Sequence, residues 1–292
     1  MAIAQQTVNG LLLGGILALV ALGFSIVWGI LNIINLAHGA FVMIGAFVTY
    51  WMFTLLGVDP FLSIPVSMLV LFVIGYATQR TLINWVVRAP VLITLLLTFG
   101  LELLITNVAL LWWSANVRSV NPGYVGSKLQ IGSVVIPYIQ LGTFVLALVI
   151  TALLATFMTQ TRSGQAIRAT AYDLTGAKVV GIPIGRTYAI TFGLGAALAG
   201  AAGSLIAMVR PITPTMGAEY TVLAFAICVL GGLGSVWGAL IGGLVFGMVE
   251  VFATVFLGAG YSDAVVFVIL ILVLGLRPQG ILGRAYSAGG EE

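Results

Sequence analysis

"TRSGQAIRATAYDLTGAKVVGI", residues 161–182, stands apart from the chain around it. Of 292 residues 61% are hydrophobic and 7% charged, yet this stretch holds Arg162, Arg168, Asp173 and Lys178. On either side lie apolar runs, 139–160 and 187–209. Each is about 20 residues long, the length a helix needs to cross the hydrocarbon of a bilayer. The polar stretch is therefore a connector between two membrane-spanning helices. Gln165, Ile167 and Ala171 punctuate a helix whose other face carries Arg168 and Lys178; Thr175-Gly176 breaks it and Gly181-Ile182-Pro183 ends it. Such a basic amphipathic segment lies on anionic headgroups or seats in a partner protein at the membrane surface. Physical chemistry leaves both readings open.

Working outward, a mean hydropathy of +1.20 excludes a water-soluble domain. In lipid only helices or a closed barrel satisfy the backbone, and the alternating strands of a barrel are missing. Apolar runs bounded by charge, Pro or Gly fall near 8–29, 36–57, 61–79, 91–114, 139–160, 187–209, 221–234, 235–258 and 263–276. The fold class is all-α: one polytopic transmembrane bundle, residues 1–292, with eight or nine spans and some helices broken. The pair 221–234 and 235–258 reads as two short spans or one broken one. MAIAQQTVNG carries no Lys or Arg, so the first run reads as a retained span and not a secretory leader. Segment 115–138 has Asn-Pro-Gly turn chemistry followed by β-branched alternation, which predicts a small external hairpin.

Eight of the eleven positive residues lie in alternate loops: Arg80 and Arg88, then Arg162, Arg168, Lys178 and Arg186, then Arg277 and Arg284. Arg118, Lys128 and Arg210 lie on the opposite side. The positive-inside rule places the first group, and the C-terminus, in the cytoplasm. The positives form no basic run, which excludes a nucleic-acid partner. Small residues recur every fourth position, as in Gly195, Ala199 and Gly203, or Gly243 and Gly247, and predict close helix packing. "LGFSIVWGILNI" at 22–33 and "LGGLGSVWGALIGG" at 230–243 share a glycine-broken run followed by Val-Trp-Gly.

Groups able to do chemistry are few. His38 is the single histidine and Cys228 the single cysteine, with no metal-ligand spacing and no Walker-type or nucleophile motif. Asn32, Asn35, His38 and Gly39 form a polar break before an apolar run. A helix starting at about Asn35 directs free N–H groups and its positive dipole end along a pathway, or is a simple capped start at the membrane boundary. Glu102 lies mid-span in "LLLTFGLELLITNVALL", where a carboxylate belongs on the bundle interior. It reads as a pathway residue or as a hydrogen-bonded helix contact with Thr98 and Thr106 a turn away.

The connector resembles the cytoplasmic motif of the permeases of binding-protein-dependent ABC importers for branched-chain amino acids. That motif is Gly-x-Ala-x-Arg-Ala, then Ala, then Gly-Ile, here Gly164, Ala166, Arg168, Ala169, Ala177, Gly181 and Ile182, with Asp173 inside it. "NLAHGAFVMIGAF", "FAICVLGGLGSVWGALIGGLVFG" and "LRPQGILG" are similar to three further signatures of the family, in order, over nearly the whole chain. The length and short N-terminus resemble the shorter, H-type permease subunit, which pairs with a longer M-type partner. The resemblance implies a cytoplasmic coupling loop, 161–186, seated in a cleft of an ATPase subunit, two such subunits per complex, and an extracytoplasmic solute-binding protein. It implies a bacterial inner-membrane location, no cofactor or catalysis in this chain, and ATP and Mg held by the ATPases. Branched-chain or other neutral amino acids are the expected solutes, with urea, amides or other small organic molecules as the alternative. A stand-alone secondary transporter is the competing class; only Glu102 and Glu250 are available there to carry protons.

Overall fold

The computed structural model describes residues 2–87, 89–277 and 279–282. The helices are α1 (Ala2–Leu31), α2 (His38–Leu56), α3 (Pro60–Thr78), α4 (Asn84–Val86), α5 (Val91–Trp113), α6 (Tyr138–Gln160), α7 (Arg162–Tyr172), α8 (Leu174–Val179), α9 (Ile184–Val209), α10 (Gly217–Gly231), α11 (Val236–Leu257) and α12 (Ser262–Leu276). A π-helical segment, Gln79–Ile83, joins α3 to α4, and the strands β1 (Lys128–Ile131) and β2 (Val134–Pro137) precede α6. All nine apolar runs are thus helical. Among the described residues, seven helices are long and apolar enough to span: α1, α2, α3 continued through α4, α5, α6, α9 and α11. The expected eight or nine spans stand as these seven full-length helices plus α10 and α12, which have 15 residues each. At 1.5 Å per residue that is about 22 Å, short of the hydrocarbon thickness. The pair 221–234 and 235–258 is two helices, separated where Gly232 and Gly234 take φ of 107° and 79°.

Burial is arranged for lipid. The buried side chains of α5 are Thr94, Thr98, Glu102 and Ala109, while Leu92, Leu96, Leu104, Leu111 and Trp112 are exposed. Polar groups inward and leucines outward is the order that hydrocarbon surroundings impose. At the centre stand α1 and α9, buried over most of their length.

Close helix approach depends on missing side chains. A Cβ on Gly14 of α1 meets the Gly243 oxygen and the Leu244 Cα of α11, each at 2.8 Å, and one on Gly247 overlaps the Gly14 backbone. Along α9, Gly195 abuts Gly23 of α1, Gly200 abuts Ser67 and Leu71 of α3, and Gly203 abuts Val42 of α2. With no hydrophobic effect between helices in lipid, this contact area holds the bundle. The two Val-Trp-Gly segments also meet, with Gly29 against Gly234.

One end of the bundle carries the hairpin. β1 pairs antiparallel with β2 from Ile131↔Val134 to Lys128↔Pro137, and Gly132 turns the chain at φ 61°. Gln5 of α1 fastens it, donating to the Val135 oxygen at 2.8 Å and accepting from the Val135 N–H at 2.7 Å. Tyr124 donates to Asp59 Oδ2 at 2.9 Å, while Asp59 Oδ1 accepts from Phe61 N–H and starts α3. Burial, and then the adjoining Asp59 carboxylate, raise the Tyr124 phenol above its usual range. From this end α6 runs 23 residues, about 34 Å, to the polar connector at the other. Arg80, Arg162, Arg168, Lys178, Arg186 and Arg277 gather at the connector end, whereas Arg118, Lys128 and Arg210 lie at the hairpin end. Arg88 and Arg284 lie outside the described residues.

Candidate functional site

Two places depart from plain spanning helix. The first is the break between α1 and α2. Asn32 leaves α1 at φ 52°, a left-handed conformation that asparagine tolerates better than other side-chain-bearing residues. The chain then runs back along α1: His38 Nε2–H donates to the Val20 oxygen at 2.9 Å. Val20 is eleven residues before the end of α1, about 16 Å up its axis. So α2 begins inside the bundle, at His38, three residues past the expected start at about Asn35. Asn35 does not cap it; Ala37 occupies the cap position and has no side-chain acceptor.

The exposed polar backbone of this break is satisfied from elsewhere. Thr98 of α5 accepts from Leu36 N–H at 3.2 Å and lies 3.0 Å from the Ile34 oxygen as donor. Thr221 of α10 accepts from Gly39 N–H at 2.8 Å and donates toward the Leu36 oxygen at 3.0 Å. Two hydroxyls from two helices thus cover four main-chain groups. Non-helical backbone at membrane depth persists where protein groups pair it in this way. Gly39 is required on steric grounds, since a Cβ there overlaps the Gly217 carbonyl of α10.

The structure gathers Asn35, His38 and Gly39 at this start, all buried, with Asn32 exposed at the far side of the break. Asn35 Oδ1 and His38 Nδ1 are buried without hydrogen-bond partners, and the His38 ring sits edge-on to Phe24 at 5.7 Å. Glu102 lies one turn from Thr98 on the inward stripe of α5 and accepts from Thr106 Oγ1 at 3.3 Å. That hydrogen bond runs within α5. Thr98 turns to the break, and Thr106 is the neighbour that meets the carboxylate.

Sequence reading missed Thr98 and Thr221 as partners of the break, and also an aromatic box at the hairpin end. The Arg118 guanidinium lies 4.7 Å from the ring centre of Trp51, 5.1 Å from Tyr50 and 5.9 Å from Phe47. It donates to the Trp113 oxygen at 2.6 Å, and its backbone pairs with Ile212. The aromatic run "FVTYWMF" at 47–53 was the available signal, since guanidinium groups favour such faces.

The second place is the connector. Thr161 accepts from Gly164 N–H at 3.0 Å and caps α7. The helix breaks at Asp173, two residues earlier than the sequence predicts, because the Asp173 carboxylate accepts from Thr175 N–H at 2.9 Å and starts α8 there. Gly181 at φ 81° then turns the chain toward α9. The motif residues divide by face. Gly164 and Ala177 are buried, Ala166 and Ile182 half-buried, and Arg168, Ala169, Asp173 and Gly181 exposed. A Cβ on Gly164 overlaps the Phe157 carbonyl at the end of α6, so this glycine seats the connector on the bundle. The outward face adds Tyr172, 87% exposed, Val179, 82%, and Val180, 74%. Exposed apolar side chains flanked by Arg168 and Lys178 beyond the end of a bundle mark an interaction surface, for a protein or for the membrane face.

The other signatures also converge. Ile281 N–H donates to the Leu230 oxygen and Leu282 N–H to the Gly231 oxygen, both at 2.9 Å, which pairs the final carbonyls of α10. Pro278 and Gly283 of that signature lie outside the described residues.

Residues 6–274 match the family model described as branched-chain amino acid transport system / permease component. The high-affinity branched-chain amino acid transport system permease protein BraD of Pseudomonas aeruginosa is 37% identical, over 96% of this chain and 95% of BraD. LivH of Escherichia coli K12, named for the same type of system, is 35% identical over 96% and 95% of the two chains. The probable branched-chain amino acid transport permease LivH of Methanocaldococcus jannaschii is 30% identical over 94% and 91%. No solved structure matches. The chain is a member of the family of permease components of branched-chain amino acid transport systems.

Proposed function

We propose that this chain is the H-type membrane-spanning subunit of an ATP-driven importer that receives branched-chain or other neutral amino acids from an extracytoplasmic binding protein. The observation that carries the reading is the outward face of the connector, with Arg168, Tyr172, Lys178 and Val179 exposed on a segment anchored by Gly164 and Ala177. In this reading residues 161–186 are the coupling loop and sit in a cleft of one ATPase subunit. A longer permease subunit completes a heterodimer over two ATPases, which hold ATP and Mg; this chain binds neither. The connector end faces the cytoplasm of a bacterial inner membrane, with the C-terminus, and segment 115–138 faces the binding protein.

The mechanical route follows the contacts. A push on α7–α8 passes through Gly181–Pro183 into α9, and α9 packs on α1, α2 and α3 through Gly195, Gly200 and Gly203. Those helices flank the break at Asn32, Asn35, His38 and Gly39, which together with the neighbouring Glu102 is the proposed passage for the solute. Partnerless Asn35 Oδ1 and His38 Nδ1 favour this place, because buried polar atoms normally find partners and a passing polar solute supplies them. Urea, amides or similar solutes fit the same machinery, since the binding protein sets much of the selectivity.

Arg168→Glu tests the coupling loop. Ile167 and Gly164 hold the segment and remain, so insertion and folding persist while uptake collapses. Uptake at the wild-type rate, with ATPase subunits still co-purifying, removes the assignment.

A further inference from the structure

We infer that Thr98 and Thr221 form a two-helix clasp that sets whether the α1–α2 break is open or closed, acting as positioning residues for Asn35 and His38. This rests on the importer reading above. Each hydroxyl has one proton and two acceptors in reach. Thr98 Oγ1 lies 3.0 Å from the Ile34 oxygen in the break and 3.1 Å from the Leu95 oxygen of its own helix. Thr221 Oγ1 lies 3.0 Å from the Leu36 oxygen in the break and 3.3 Å from the Gly217 oxygen of its own helix. A hydroxyl donates one hydrogen bond at a time. Donation to the break closes the clasp, and donation to the helix's own carbonyl releases it with no proton left unpaired.

The two threonines sit on different helices, α5 and α10, so relative movement of these helices separates the two halves of the clasp. Leu36 is the shared point: its N–H goes to Thr98 and its oxygen to Thr221. Movement there carries Asn35 and the first turn of α2 with it. Thr98 and Thr221 are 0% and 5% exposed, so water does not compete for these bonds in the closed arrangement.

The test uses the assembled complex in proteoliposomes, with Asn35→Cys as a reporter for a small water-soluble maleimide in the ATP-free state. The native Cys228 is fully buried and gives a low background. Thr98→Val and Thr221→Val keep the shape and delete the hydroxyl, removing two hydrogen bonds each. Each should raise labelling by about thirtyfold, the equivalent of two net hydrogen bonds at about 1 kcal/mol each. Thr98→Ser and Thr221→Ser keep the hydroxyl and should label as the unsubstituted reporter does. Where a valine variant does not assemble, alanine replaces it with the same expectation. Unchanged labelling in the hydroxyl-free variants overturns the clasp, as does serine labelling like valine. Serine keeps the hydroxyl and valine keeps the methyl, so the effect would then follow from any change of shape at these positions and not from the hydrogen bonds. The importer reading is judged apart, by ATP-driven uptake of the complex without substitutions.

Discussion

Gly39→Ala probes the closest approach at the proposed passage. A methyl on Gly39 overlaps the Gly217 carbonyl and lies 2.5 Å from Thr221 Oγ1, both on α10. Ordinary carbon–oxygen contacts sit at about 3.3–3.6 Å, so α10 must withdraw by roughly 1 Å or more. The bonds of Thr221 to Gly39 N–H and the Leu36 oxygen, 2.8 and 3.0 Å long, then pass out of reach. Two lost bonds cost about 1 kcal/mol each, and forced repacking adds about 1–3 kcal/mol. The sum, about 3–5 kcal/mol, corresponds to a fall in melting temperature on the order of 10 °C for a chain of this size. The assay is thermal unfolding of the purified protein in one detergent, followed by loss of monodisperse material. Gly100→Ala is the control: its Cβ meets nothing within 4 Å, and alanine is the better helix former by about 1 kcal/mol. If Gly39→Ala melts with the unsubstituted protein, the tight junction of α2 and α10 is wrong.

Two further outcomes follow from single contacts. Glu102→Gln keeps an acceptor for Thr106 and should retain assembly and most uptake, whereas Glu102→Leu leaves that hydroxyl without its side-chain partner and should cost about 1–3 kcal/mol; loss of uptake in the glutamine variant, with ATP hydrolysis intact, marks Glu102 as a charged passage residue instead. Gln5→Leu removes both bonds to Val135 and should speed hydrogen exchange across β2 by about tenfold; unchanged exchange shows that the hairpin does not depend on α1.

Much of the bundle was legible because apolar length and small-residue spacing are local signals. The runs at 139–160 and 187–209, the hairpin after Asn121-Pro122-Gly123 and the close glycines of α9 all follow from neighbours in sequence. What escaped depends on distant partners. The start of α2 moved from Asn35 to His38 because its capping acceptor, Thr221, lies 182 residues from the Gly39 N–H it receives. Thr98, which pairs the other side of Leu36, is 62 residues from it. No spacing rule connects such groups. Arg118 was read as a loop charge, yet its position is set by aromatic faces on α2 that only the folded chain brings beneath it. The break in the connector was misplaced by two residues for a more local reason. Asp173 captures the Thr175 N–H and starts a new helix through Thr175-Gly176, which reads in isolation as a helix stop.

The most direct measurement is uptake of labelled leucine into proteoliposomes holding this chain with the proposed longer permease subunit, two ATPases and binding protein, with ion gradients collapsed by ionophores. ATP on the ATPase side should drive accumulation above the external concentration, and its omission should abolish it, if residues 161–186 are the proposed coupling loop and no proton moves with the solute. Accumulation without ATP that follows an imposed proton gradient would contradict the account and make the chain a secondary transporter.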